Sequence, residues 1–203
     1  MKGTRGLLIV SLIGAVGVAL TLCIQQLTAS RAALEQQNQQ RSALLDILPN
    51  PIYDNQPLEH PLAISQQALE NSQLQGGYLA TLAGQPSAIL LRSQASGYGG
   101  PIELLIAISP AGKLLGVKPL KQSETPSLGR HIADPDNPLL AAFKGLSRED
   151  SRDSVWALKK DHGQFDQMAG ATITSRAVIN AVHDALRYFD DHRQLMLEQP
   201  AHE

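Results

Sequence analysis

The sequence predicts an α+β protein: a mainly antiparallel sheet closed by a C-terminal helix, behind a single N-terminal transmembrane helix. Three observations carry this expectation. Residues 102–109 (IELLIAIS) place Ile102, Leu104, Ile106 and Ile108 at alternate positions, the period of a strand with one buried face. Turn residues flank this segment, with Gly97, Gly99, Gly100 and Pro101 before it and Pro110 and Gly112 after it, so its neighbours join it as hairpins. Beyond Ser175, apolar residues fall at Ala177, Val178, Ala181, Val182, Ala185, Leu186 and Phe189, the one-sided repeat of an amphipathic helix.

The elements follow in chain order. Residues 6–24 contain no charged side chain over nineteen positions. At about 1.5 Å per residue this is about 28 Å of helix, the thickness of a bilayer's hydrocarbon core. Lys2 and Arg5 precede it and no acidic residue does, which places the N-terminus in the cytoplasm. A cleavable signal peptide has a shorter apolar region and a small-residue cleavage site. Leu27-Thr28-Ala29 matches such a site poorly, and Leu22 stands where a lipoprotein needs a small residue before Cys23. Residues 1–27 are therefore expected as an uncleaved anchor in the inner membrane, with the main domain in the periplasm.

Residues 28–60 are expected as a helical stalk and linker, since 31–48 are rich in Gln, Ala and Leu and 50–55 have loop composition. Within the domain at 61–190, strands are predicted at 78–82 and 88–91, joined by Gly84-Gln85-Pro86. Further strands are predicted at 102–108, 114–120 and 155–158. Residues 191–203 read as a polar tail.

Composition narrows the function. Beyond Lys2 and Arg5 the chain carries 15 basic and 19 acidic residues, a balance that argues against a nucleic-acid partner. The one cysteine, Cys23, lies in the expected anchor, so no disulfide framework, iron–sulfur cluster or thiolate zinc site can be assembled within the chain. The six histidines show no paired ligand spacing, and no metal site is expected.

The most informative stretch is Asp166-Gln167-Met168-Ala169-Gly170-Ala171-Thr172, followed by Ile173-Thr174-Ser175 and the terminal helix. Thr172, Thr174 and Ser175 stand where that helix begins, among N–H groups that lack intrahelical partners. Such a terminus favours an anionic phosphate. Gly170 and Ala171 keep the flank of the Thr172 hydroxyl small. An ordinary Thr or Ser cap after a glycine turn fits the same residues. Two other patches stand out: Gly97-Tyr98-Gly99-Gly100-Pro101-Ile102 and Glu124-Thr125-Pro126-Ser127-Leu128-Gly129. Neither glycine cluster has the strand-to-helix spacing of a Walker loop or a dinucleotide fingerprint.

Taken together and in order, these stretches resemble the FMN-binding domains of ion-translocating electron-transport complexes, and most closely the G subunits of the Rnf type. The resemblance runs from the anchor to about residue 188. Ala169 stands where the family pattern usually has Ser or Thr, and Ser127 where it usually has Gly. The C subunits of sodium-pumping quinone reductases share the motif, although the compact length here favours the Rnf type. A flavin-free, membrane-anchored scaffold is the other alternative.

The resemblance implies that residues 61–190 form an FMN-binding domain and that Thr172 carries FMN through a phosphoester bond. It also implies electron transfer coupled to ion movement, other membrane subunits as partners, and a flavin transferase for maturation. Gly170, Ala171 and Thr174 flank the attachment point, Glu124, Thr125 and Leu128 line the flavin ring, and Asp166 serves transferase recognition. Lys159 and Lys160 read as a solvated turn, with positive charge beside a reduced flavin as the other possibility.

Overall fold

A computed structural model describes residues 45–48, 52–59, 61–148 and 153–198. Five strands form one sheet in the order β1-β2-β3-β4-β5: β1 (Gln67–Ala68), β2 (Ser72–Leu82), β3 (Gln85–Ser96), β4 (Pro101–Ile108) and β5 (Leu114–Lys121). Every neighbouring pair is antiparallel, as successive hairpins require. Two α-helices follow, α1 (Pro138–Ala142) and α2 (Thr172–Glu198). The anchor expected at residues 6–24 lies outside the described residues. Among the described residues no helix is long and apolar enough to cross a membrane.

The alternation read in residues 102–108 sets the two faces of the sheet. Ile102, Leu104, Ile106 and Ile108 join Ile89 and Leu91 of β3 in the main core, against Val178, Val182, Leu186 and Phe189 of α2. The intervening Leu105 and Ala107 point the other way, with Ala88 and Leu90, into a second, smaller cluster. Ala88-Ile89-Leu90-Leu91 is thus apolar without alternation because both faces of β3 are covered. Asp184, buried on α2, accepts from the Asn71 backbone N–H at 2.7 Å and the Ser72 hydroxyl at 2.9 Å, which pins the helix to the β1–β2 turn.

Several boundaries differ from expectation. The strands predicted at 78–82 and 88–91 are the inner ends of β2 and β3, whose outer halves carry Gln and Ser and lack an apolar signature. Their turn is Ala83-Gly84, both at positive φ (50° and 73°), while Gln85 and Pro86 already pair with Leu82 and Thr81. No strand forms at 155–158. Asp153–Val155 is a single 3₁₀ turn, and Leu158 makes only an isolated parallel bridge to Phe165. The apolar residues there serve an aromatic cluster in which Phe165 lies 4.9 Å from Phe143 and 5.5 Å from Trp156.

The described part of the expected stalk packs on the sheet. Leu45–Ile47 is a 3₁₀ turn, and Leu45 and Leu48 bury themselves in the second cluster. Asn55 then takes the Thr81 backbone N–H at 3.0 Å and donates to the Leu79 carbonyl at 2.9 Å. Residues 191–198, expected in the polar tail, continue α2, with Met196 in the core.

Candidate functional site

The three stretches singled out in the sequence meet at one buried carboxylate. Glu124, 5% exposed, follows β5 in an extended segment. Its Oε1 accepts from the Gly99 backbone N–H at 3.0 Å, and its Oε2 accepts from the Thr174 hydroxyl in a short hydrogen bond. The glycine-rich β3–β4 loop, the 124–129 segment and the start of α2 are thereby tied together. Gly129 has to be glycine for this closeness. A Cβ there would collide with Glu124 Oε2 and stand 2.8 Å from Thr174 Oγ1.

Helix α2 begins at Thr172, within the 172–175 stretch where the sequence places its start, and Ser175 N donates to the Ala171 carbonyl at 3.0 Å. Thr174 and Ser175 are therefore first-turn residues whose side chains point inward, both under 2% exposed. Thr174 does not cap the helix, because it lies inside the first turn and its hydroxyl donates to Glu124. Ser175 Oγ accepts from Met168 N at 3.0 Å and donates to the Ala171 carbonyl at 2.8 Å, so it braces the incoming loop. Gly170 sits at φ +69°, a left-handed conformation that side chains resist. Its bare face receives Leu128, whose Cδ2 would lie 2.6 Å from a Cβ.

Thr172 alone turns its hydroxyl outward. Oγ1 accepts from Lys160 Nζ at 2.9 Å and donates to Gln167 Oε1 at 3.0 Å. Lys160 comes from a 3₁₀ turn, Lys159–Asp161, that is held to the helix by a bidentate pair. Arg176 Nε and Nη2 each donate to Asp161 at 2.8 Å. This hydrogen bond to Arg176 holds the Asp161 carboxyl below the usual carboxylate range and raises Arg176 in turn. Lys159 points away to Asp166, 2.6 Å from Oδ2.

A cleft of about 530 Å³ opens beside Thr172, and its walls include Glu124, Thr125, Leu128, Gly170, Ala171 and Thr174. The structure brings these six residues named from sequence into one place, while Asp166 lies outside this wall on the rim of an adjoining cleft. The adjoining cleft, about 690 Å³, shares Leu128 and Gln167 with the first and is lined further on by His131, Asp134 and Asn137. Asn137 is buried, and it caps α1 by accepting from Leu139 N and Leu140 N at 3.0 and 3.2 Å.

Sequence reasoning quoted Tyr98, Gln167 and Ile173 without giving them a role in the site, and read Lys160 as a solvated turn or a charge beside the flavin rather than as a direct partner of Thr172. Among the described residues five large apolar side chains are exposed: Leu82, Tyr98, Leu128, Ile173 and Leu195. Three of them, Tyr98, Leu128 and Ile173, line this one cleft. Exposed apolar surface gathered in a concavity is the mark of a binding site. The signal available in the sequence was Ile173, apolar yet out of step with the buried stripe of α2.

A model of the FMN-binding domain family matches residues 97–187, a span that contains the β3–β4 loop, the 124–129 segment and Thr172. The chain is similar to the G subunits of ion-translocating oxidoreductase complexes. The one from Pseudomonas aeruginosa is 43% identical over 195 residues, covering 95% of this chain and 91% of that protein. Its counterpart from Shewanella loihica is 38% identical over 185 residues, covering 90% and 87%. Solved structures of the C subunits of Na⁺-translocating NADH-quinone reductases are also similar. The one from Parabacteroides distasonis has a TM-score of 0.47 and 25% identity, over 63% of this chain and 64% of that chain.

Proposed function

Because the chain belongs to the family of G subunits of ion-translocating oxidoreductase complexes, we propose that it is an electron-carrying subunit of such a membrane-bound complex, with FMN joined through its phosphate to Thr172 Oγ1. The complex would pass electrons between ferredoxin and NAD, or a related acceptor, and couple them to ion translocation. The observation that carries the site assignment is the placement of the Thr172 hydroxyl. It faces outward at the first residue of α2, with Lys160 Nζ 2.9 Å away, beside a cleft walled by Tyr98, Leu128 and Ile173.

The residues present fit the group. Roughly 530 Å³ lies within the roughly 300–1,000 Å³ of small-molecule sites. The apolar side chains offer packing for a flat ring, and Thr172 on the cleft wall stands at a helix N-terminus with Lys160 Nζ on its hydroxyl, a setting suited to a phosphate. Bound there, FMN would supply a reversible carrier of electrons. The protein's part is to hold and enclose it. Gly170 and Ala171 leave the approach to Thr172 clear. Leu128, seated over Gly170, and Thr125 would hold the ring. Glu124 and Thr174, hydrogen-bonded to each other, fix part of the wall.

Attachment would be made by a separate flavin transferase, for which the exposed Asp166, paired with Lys159, is a recognition point. The N-terminus would lie in the cytoplasm, one span in the inner membrane and the domain in the periplasm, against the other membrane subunits of the complex.

The test is direct. Protein co-expressed with a flavin transferase should carry the mass of one FMN less one water on the peptide spanning residues 168–176. Thr172→Ala should abolish the in-gel flavin fluorescence while Thr174→Ala keeps it. A Thr172→Ala protein that stays fluorescent under denaturing conditions would overturn the assignment.

A further inference from the structure

We propose that Lys160 and Gln167 form a clamp for the phosphate on Thr172, with Lys160 as its counter-charge and Gln167 as a donor that switches on when the ester forms. The proposal rests on the attachment described above and extends it to residues outside the sequence motif's expected roles.

Charge is the first argument. Three cations surround the start of α2, and two of them are paired: Lys159 with Asp166, and Arg176 with Asp161. Lys160 has no carboxylate within ion-pair distance among the described residues. Its ammonium is instead set against a neutral hydroxyl. A phosphodiester on that oxygen brings one negative charge to where the unpaired positive charge already stands, and charge-assisted hydrogen bonds to phosphate are the stronger kind. The turn that presents Lys160 is fixed by the bidentate Asp161–Arg176 pair, so the ammonium is placed before the phosphate arrives.

Hydrogen-bond inventory is the second argument. In the transfer, Thr172 Oγ1 attacks a flavin dinucleotide at the phosphorus nearer the flavin. The Oγ1–P bond forms, the pyrophosphate P–O bond breaks and a nucleoside monophosphate leaves. The hydroxyl proton passes to a base of the transferase or to water, and no electron changes hands. The ester oxygen then has no proton to give Gln167 Oε1, which it supplies at 3.0 Å beforehand. An amide has both an acceptor and a donor end, so rotation of the Gln167 side chain offers Nε2–H to a phosphoryl oxygen. A carboxylate at this position could not make that exchange and would repel the phosphate. Lys160 keeps its bond throughout, because an ammonium has three donors.

The experiment uses the full-length chain in membranes, with a flavin transferase induced and in-gel fluorescence followed in time. Loss of a charge-assisted hydrogen bond predicts an initial labelling rate lower by roughly tenfold or more in Lys160→Met. Lys160→Arg should recover most of the rate, and Gln167→Glu should be slowed comparably. In fully labelled, solubilised protein, the phosphorus NMR resonance of the diester should differ between wild type and Lys160→Met, which a merely structural lysine would not produce. Emission from Trp156, packed between Phe143, Phe165 and His183, reports whether the fold is kept. Should Lys160→Met lose it, Lys160→Gln and Lys160→Arg make the same comparison. Wild-type rates in Lys160→Met and Gln167→Glu, with an unmoved phosphorus resonance, overturn the clamp. Failure of wild type to label at all overturns the attachment itself.

Discussion

A carboxylate with only 5% of its surface exposed needs donors for its oxygens, and Glu124 finds them on two segments far apart in sequence, Gly99 and Thr174. The cluster leaves Gly129 no room for a methyl group. Gly129→Ala should therefore cost about 1–3 kcal/mol as an overpacking change, read as a lower Tm. An unchanged Tm would mean that the cluster relaxes around the methyl. Thr174→Ala should cost about 1–3 kcal/mol, because it strips a donor from a buried carboxylate, yet leave the flavin label on Thr172. At this scale the sequence was legible for residue types and less so for roles. Glu124, Thr174 and Gly170 could be picked out by motif. That Glu124 bonds Thr174, fifty positions away, is a product of tertiary packing, and local spacing carries no trace of it.

Elements with a strong period were legible and those without were not. Ile102 to Ile108 and the stripe on α2 announced themselves because one face of each is buried by a partner. The 3₁₀ turn Lys159–Asp161 has no apolar period, since it is held by charge. That makes it testable by pH. Asp161 is held below the ordinary carboxylate range by the Arg176 guanidinium. A depressed carboxyl contributes stability that is fully present above its unfolded pKa of about 4 and is lost as pH falls through the lower folded value. Arg176→Gln should thus lower the Tm relative to wild type near pH 6, with the gap closing below about pH 4. A gap that stays constant to acid pH would show that Arg176 acts by packing rather than through Asp161. The effect should be small, because both partners are solvent-accessible and salt screens them.

At the scale of the whole molecule, sequence and structure are informative about different parts. The domain and its cleft are settled by packing, whereas the expected anchor is a matter of hydropathy and charge alone. If the nineteen uncharged residues behind Lys2 and Arg5 span the membrane as proposed, the positive-inside rule puts the rest of the chain on the side away from the cytoplasm. A domain tethered there would present its flavin to partners within the membrane or at its outer face, so the proposed topology would decide which of them exchange electrons with it. A reporter fused after residue 40 should therefore be active only when it functions outside the cytoplasm. Alkaline extraction should leave the chain in the membrane pellet, with the fluorescent flavin band running at full-length mass. A fluorescent band that is shortened and released into the supernatant would mean that residues 6–24 are removed as a signal. The protein would then be held to the complex by its domain alone.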